Sequence, residues 1–329
     1  MTEHTFPIKP KIFIRKAIPQ KYLDNMKNMG AEIIYDPWVY GEPEPPIKED
    51  ISSCNIVLTL GLNDSLSIRK HAPNIKWVQS LSVGLDALLH QEMKNSSILI
   101  TNTKGCTTVP IAEHTIAMIS GLARGLPFMI RNQLNHEWNQ TPIVDLSKST
   151  VGIIGYGAIG QEIAKRCKAL DMRVVGCKKR IDSLQSDIFA DEIVGIDQLD
   201  YVIKEADFLV LALPSTTETY HLMNIDKLSL MKESSFLINI GRGNILVESE
   251  LTTILKEKRI AGAALDVFEV EPLPKEHPLW QLENVIISPH NAYYSPHTMD
   301  RYMALFLENI QRFMNGKELL NIVDKELGY

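Results

Sequence analysis

The sequence predicts an α/β fold built on two doubly wound parallel sheets, and three observations carry that reading. Short apolar runs alternate with segments of helical period along the whole chain, a glycine-rich turn joins one such run to one such segment at residues 155–160, and that turn lies near the middle of the 329 residues rather than at their start. A chain of this length exceeds one ordinary core and suits two domains of about 150 residues each. Apolar residues make up 45% and charged residues 22%, a globular rather than a disordered composition. The net charge of −6 offers no basic footprint for nucleic acid. No apolar run approaches the ~20 residues of a membrane span, and the start Met-Thr-Glu-His-Thr-Phe-Pro has no signal-peptide pattern. Cys54, Cys106, Cys167 and Cys177 show no Cys-x-x-Cys or other metal-ligand spacing. The expectation is a cytoplasmic protein with free, mostly buried thiols and no metal. Cys106 falls in a candidate ligand loop, but no local base equips it as a nucleophile.

Taken in order, residues 11–14 read as a strand, 19–29 as a helix and 32–35 as a second strand, so the N-terminal part is itself α/β. Three prolines make 41–46 a loop. A strand at 56–60, a helix at 65–71 and a strand at 77–80 follow. Leu81-Ser-Val-Gly-Leu-Asp86 then sets small residues and backbone N–H groups at a strand's carboxyl end, where a carboxylate can bind; an ordinary strand-to-helix turn is the alternative. After a strand at 98–102, Gly105-Cys-Thr-Thr-Val-Pro110 leads into a helix at 111–122, whose Ala112, Ala117 and Gly121 suit close packing or a subunit contact. A second helix at 126–138 and a polar connection at 140–149 precede the glycine-rich turn.

Residues 151–154 form an apolar run, and Ile159, Ile163, Ala164, Cys167 and Leu170 share one face of a helix over 158–170. The glycines stand where strand becomes helix. Gly155 permits a tight turn, Gly157 lets backbone approach a pyrophosphate, and Gly160 lets the helix pack on the strand. The helix start adds unpaired N–H groups and a positive dipole end, so Gly155, Tyr156, Gly157, Ala158, Ile159 and Gly160 are expected to cradle a dinucleotide.

Downstream, strands at 173–177, 192–194, 208–213, 235–240, 261–267 and 285–288 alternate with helices at 196–206, 226–231 and 248–256. A last helix over 298–315 carries Met303, Phe306, Leu307, Ile310 and Phe313 on one face. A dinucleotide fold over 111–295 leaves 1–110, completed by 296–329, for a second domain that supplies substrate-binding groups. Arg242 lies just past one strand, Asp266 and Glu271 past the next, and His290 past the last, so all can meet at one crevice. A planar guanidinium suits the carboxylate of a 2-keto acid, and a histidine beside a glutamate suits proton transfer to the ketone oxygen.

Seven segments in this order, Ser82-Val-Gly-Leu-Asp86, Ala112-Glu-His-Thr115, the glycine-rich turn, Leu213-Pro-Ser-Thr-Thr-Glu-Thr219, Asn239-Ile-Gly-Arg-Gly243, Leu265-Asp-Val-Phe-Glu-Val-Glu-Pro272 and Ser288-Pro-His290, resemble the D-isomer-specific 2-hydroxyacid dehydrogenases, which are similar to glyoxylate and hydroxypyruvate reductases. The resemblance spans nearly the whole chain. It implies a Rossmann dinucleotide-binding domain, a flavodoxin-like substrate domain, a homodimer, and reduction of a small 2-keto acid to a D-2-hydroxy acid. It implies that Arg242, Glu271 and His290 are catalytic, with Arg242 and His290 also touching substrate, and that Asp266 meets the nicotinamide amide. Val83 and Gly84 would hold the substrate carboxylate by their N–H groups. Thr108, Leu213, Pro214, Thr219 and Ile240 would line the cofactor.

Two departures bear on specificity. NAD-preferring members end the second dinucleotide-fold strand with an acid for the ribose, whereas this chain has Cys177-Lys-Lys-Arg180. Lys178, Lys179 and Arg180 suit a 2′-phosphate, so NADP(H) is expected over NAD(H), which stays possible. Asn291-Ala-Tyr-Tyr294 replaces the smaller residues of many members, leaving the keto acid open. A phosphoglycerate dehydrogenase-like enzyme and a non-catalytic, corepressor-like NAD(P) sensor are the alternative readings. Glu271 disfavours a formate dehydrogenase, and the late glycine-rich turn disfavours an L-lactate dehydrogenase.

Overall fold

A computed structural model describes residues 9–38, 46–60, 69–85, 88–179 and 187–326. The chain divides into two compact units, residues 1–106 with 296–329, and residues 107–295.

The first unit is built on five parallel strands, β1 (Lys11–Lys16), β2 (Glu32–Trp38), β3 (Ile56–Thr59), β4 (Trp77–Ser80) and β5 (Leu99–Thr101), in the order β2-β1-β3-β4-β5. β3 and β4 are buried at every residue, because both faces of a parallel sheet are covered. Alternate residues serve opposite faces. Ile12, Ile14, Leu58 and Trp77 pack with the helix Gln20–Asn28 and with Met303, Phe306, Ile310 and Phe313 of the helix Thr298–Met314. Phe13, Val57, Val78 and Ile100 pack with Leu85, Leu88 and Met93.

Differences from the sequence reading have local causes. β2 continues through Pro37 to Trp38, which an edge strand tolerates because one row of its N–H groups has no strand partner. The helix Gln91–Lys94 is too short to show a period, and the side chain of His90 caps it by accepting from the N–H of Met93. Most of the predicted helix over 65–71 and most of the loop over 41–46 lie outside the described residues, as do Asp86 and Arg180.

The second unit holds β6 (Thr150–Ile154), β7 (Arg173–Lys178), β8 (Glu192–Gly195), β9 (Phe208–Leu211), β10 (Phe236–Asn239), β11 (Gly262–Leu265) and β12 (Val285–Ile287). All pair in parallel, in the order β12-β11-β10-β9-β6-β7-β8. Chain order reverses between β6 and β9. Their connections therefore leave in opposite directions and open a crevice at the carboxyl edge of the sheet. Apolar residues cover both faces, Val175, Leu209, Leu237 and Leu265 on one and Val151, Ile153, Val210 and Ile238 on the other.

The helix expected from 111 starts at Thr108, since Pro110 fits a first turn whose N–H groups need no intrahelical partner. Ala112 and Gly121 of this helix Thr108–Ala123 are buried within the unit, and a Cβ on Gly121 would lie 3.1 Å from Ile286 Cδ1. Ala112 and Gly121 therefore serve close packing within the unit, whereas Ala117 is exposed. The next helix, Leu126–Asn135, stops short of 138 at His136, whose φ is 59°, and buries none of its residues. Among the described residues, no helix is long and apolar enough to cross a membrane. All four cysteines are free, and burial pushes the thiols of Cys167 and Cys177 up to about 12 and that of Cys54 to about 11.

Candidate functional site

The glycine-rich turn leaves β6 at the point where strand order reverses. Gly155 has φ +103°, and a Cβ there would stand 2.6 Å from the carbonyl oxygen of Ala212, so neither its conformation nor its surroundings admit a side chain. A Cβ on Gly160 would meet the Gly155 carbonyl at 2.6 Å, which accounts for the close seat of the helix Ala158–Ala169 on the turn. Gly157 is different: nothing lies within 4 Å of its Cβ position. It begins the helix with no side-chain cap, so the N–H groups of Ala158, Ile159 and Gly160 have no partner within the helix or from its cap. That combination fits a pyrophosphate. The Tyr156 ring is buried beneath Gly176, where a Cβ would come within 2.5 Å of it, so only its backbone is available to a ligand at the turn. Thr108 is half-buried at the start of its own helix.

Lys178 ends β7 and Lys179 follows it, with Arg180 outside the described residues. Lys179 forms an ion pair with Glu218, a residue the sequence reading did not single out. Glu218 belongs to the segment after β9, and β7 and β9 flank β6 on either side, so the pair spans the strand that carries the glycine-rich turn. In the same segment Thr219 Oγ1 donates to the Pro214 carbonyl at 2.7 Å and accepts from the N–H of Thr216 at 2.8 Å, which ties Pro214, Thr216 and Thr219 into one turn directly after Leu213.

Three neighbouring strands deliver the remaining side chains. Past β10, Ile240 is buried and Arg242 is extended, its Nη1 donating to the Gly241 carbonyl at 2.7 Å. Asn239, fully buried, braces this turn by donating to the Arg242 carbonyl at 3.0 Å and accepting from the Gly241 N–H at 3.1 Å. Gly243 is obligatory: a Cβ would sit 1.9 Å from the carbonyl carbon of Phe268. Past β11, Glu271 Oε1 accepts from the Phe268 N–H at 2.9 Å and Oε2 meets His290 Nδ1 at 2.8 Å. Burial pushes the Glu271 carboxyl up, but its hydrogen bonds to His290 and Phe268 and the charges of His290 and Arg242 outweigh this and hold it below the usual range. A carboxylate accepts, so His290 Nδ1 carries the proton between them, and Nε2 is the ring nitrogen left to exchange a proton with a ligand.

His290 has φ +52°, a left-handed conformation uncommon for a residue with a side chain. Asp266 holds it there. His290 N–H donates to the Asp266 carbonyl at 2.8 Å, Asn291 N–H to Oδ1 at 2.8 Å and Ala292 N–H to Oδ2 at 3.1 Å, and the Ser288 hydroxyl also donates to Oδ1. The carboxylate assigned by resemblance to a nicotinamide amide is thus 1% exposed and turned toward the His290 turn. Tyr293 stands edge-on to His290, ring centroids 6.2 Å apart.

In the first unit, Val83 and Gly84 follow β4 at the carboxyl edge of its sheet. The Ser82 N–H donates to Ser80 Oγ at 3.1 Å, and the Val83 carbonyl accepts from Asn102 Nδ2 at 3.3 Å, so the turn is braced from both sides.

Residues 116–292 match the family model described as D-isomer specific 2-hydroxyacid dehydrogenase, NAD binding domain. A glyoxylate reductase of Korarchaeum cryptofilum is 32% identical, with 97% of each chain covered. One from Pyrococcus horikoshii is 31% identical, also with 97% of each covered. Among solved structures, an NADPH-dependent glyoxylate/hydroxypyruvate reductase from Sinorhizobium meliloti, in complex with NADP and sulfate, is 25% identical with a TM-score of 0.82, covering 98% of this chain and 100% of that one. A D-isomer specific 2-hydroxyacid dehydrogenase from Xanthobacter autotrophicus, in complex with NADPH and MES, gives 25% and 0.83 at the same coverage.

Proposed function

The chain belongs to the D-isomer specific 2-hydroxyacid dehydrogenase family, and from that premise we propose that it reduces a small 2-keto acid of the glyoxylate or hydroxypyruvate kind to the D-2-hydroxy acid. The observation that carries the reading is the delivery of Arg242, Glu271 and His290 by β10, β11 and β12 to the carboxyl edge that also bears the glycine-rich turn. A bound nicotinamide cofactor supplies the hydride. Arg242 grips the keto acid and polarises its ketone. Glu271 keeps Nδ1 of His290 protonated, and Nε2 gives its proton to the ketone oxygen; in the oxidative direction Nε2 takes it back. We assign residues 107–295 to the dinucleotide, with Thr108, Leu213, Pro214, Thr219 and Ile240 along it and Asp266 at its nicotinamide end. We assign the first unit to the substrate, with the N–H groups of Val83 and Gly84 on its carboxylate. Glyoxylate, hydroxypyruvate, pyruvate and bulkier keto acids should be screened by the absorbance loss of NADPH and NADH. Turnover of at least one is expected, and none at all overturns the reading.

We further propose that NADPH is preferred. Lys178, Lys179 and Arg180 support this, and Lys179 would exchange Glu218 for the 2′-phosphate. Charge-assisted hydrogen bonds contribute about 1.5–3 kcal/mol each. One made to the phosphate and missing with NADH raises kcat/KM for NADPH about tenfold or more over NADH. Equal or better use of NADH would refute the preference.

The working form we propose is a homodimer. Met129, Ile130 and Leu134 are exposed on the helix Leu126–Asn135, with Trp138 and Ile143 beyond it, an apolar patch of the kind that a second copy covers. Light scattering should report a dimer at micromolar concentration, and Leu134→Glu with Trp138→Glu should raise its dissociation constant at least about a hundredfold. A monomeric wild type sinks the proposal. The buried free thiols of Cys54, Cys167 and Cys177 support a reducing, cytoplasmic setting.

A further inference from the structure

The segment Ala112-Glu-His-Thr115 contains a histidine to which the reaction above gives no part. His114 Nε2 lies 2.9 Å from Ser288 Oγ and 3.5 Å from Asp266 Oδ1. Ser288 has one hydroxyl proton, and it goes to Asp266, since a carboxylate oxygen can only accept. Ser288 Oγ is therefore the acceptor toward His114, and Nε2 of His114 carries the proton between them. Asp266 in turn accepts from the backbone of Asn291 and Ala292 through its side chain and of His290 through its carbonyl. A directed chain of hydrogen bonds thus runs from His114 through Ser288 and Asp266 to the three-residue turn that aims His290.

From this geometry we propose that His114 is a positioning residue for proton transfer, acting through Ser288 and Asp266 to hold His290 in its left-handed conformation. The proposal rests on the reading of His290 as proton donor. Its placement is built into the packing. His114 and Gly121 are seven residues apart on one helix and so share a face. Gly121 admits the Ile286 side chain at close range, which seats that face on β12 two residues before Ser288. Without the Nε2–H, the Ser288 hydroxyl loses the donor that directs its proton at Asp266. The carboxylate then loses one restraint on its rotation, and the turn it carries loosens with it. Misplacement of a reacting group by about 1 Å can cost a hundredfold in rate, so a partial loosening costs less.

The test uses the whole chain with its best keto acid and NADPH. His114→Leu should lower kcat about tenfold, with KM and the NADPH dissociation constant, read by fluorescence titration, within about twofold of wild type. His114→Gln, whose amide N–H can reach Ser288 from the same side, should restore kcat to within about threefold of wild type. Ser288→Ala should match His114→Leu, and the double variant should be no slower than the worse single one, because both cut the same chain. A wild-type kcat in His114→Leu, a glutamine variant as slow as the leucine one, or losses that multiply in the double variant would each overturn the proposal. Should His114→Leu fail to fold in a thermal melt, Ser288→Ala and His114→Gln carry the test, and a wild-type kcat in Ser288→Ala overturns it. A wild type that turns over no keto acid overturns the functional reading and this inference with it; an active wild type with an equally active His114→Leu overturns the role of His114 alone.

Discussion

His290→Ala is expected to lower kcat at least about a hundredfold while the NADPH dissociation constant stays within about twofold of wild type. The imidazole is tied by Nδ1 to Glu271, so the proton it can give sits on Nε2, and alanine leaves no group there to supply one. The cofactor side should be spared, because the glycine-rich turn is set by β6 and the helix Ala158–Ala169 rather than by the His290 turn. Stopped-flow reduction separates the chemical step from product release, and a chemical step at the wild-type rate would remove His290 from proton transfer. Glu271→Gln should act more gently, lowering kcat, since a neutral amide holds the imidazole Nδ1–H by a weaker hydrogen bond than a carboxylate does. The Glu271 carboxyl is held below the usual range, so its contribution to stability is complete above the unfolded carboxylate range and is lost as pH falls through its folded value. Thermal melts from neutral to acid pH should show the wild type losing more stability than Glu271→Gln.

Arg242→Ala is expected to lower kcat/KM for the keto acid by about a thousandfold, through a higher KM and a lower kcat together. The guanidinium would bind the substrate carboxylate in the ground state and the ketone oxygen as charge develops on it, so both constants should move. Arg242→Lys should recover part of the KM effect and less of kcat, because an ammonium supplies charge without the planar fork. An alanine variant with unchanged KM and kcat would place the substrate elsewhere. Asn239 provides a control of another kind: its two hydrogen bonds brace the Gly241–Arg242 backbone, so it belongs to the support of this arginine rather than to substrate contact.

Much of the site is legible in the chain because local rules govern it. Inner strands of both sheets are buried on two faces and therefore appear as largely apolar runs, as in Val151–Ile154 within β6 and Ile56–Thr59 in β3. Gly155 has a left-handed φ and Gly160 packs on the Gly155 carbonyl, demands set within the six residues of the turn itself. Arg242, Asp266 and His290 could be assigned to one edge because each follows a strand, and parallel strands present their carboxyl ends together.

Other features depend on which strands become neighbours, and no local pattern encodes that. Glu218 meets Lys179 across 39 residues, His114 meets Ser288 across 174, and Tyr156 turns its ring under Gly176 rather than toward a ligand. The apolar residues exposed on the helix Leu126–Asn135 and the filling of the Gly121 site by Ile286 likewise depend on tertiary packing. By itself the sequence determined the fold class and the family and put forward Arg242, Glu271 and His290 as the candidate reacting side chains, because these rest on periodicity, steric limits and residue chemistry read over short spans. The tertiary structure alone decided how Asp266 is oriented, what steadies His290 and which acid answers the cations after β7, because a buried carboxylate takes its partners from whatever the sheet order brings within hydrogen-bond reach.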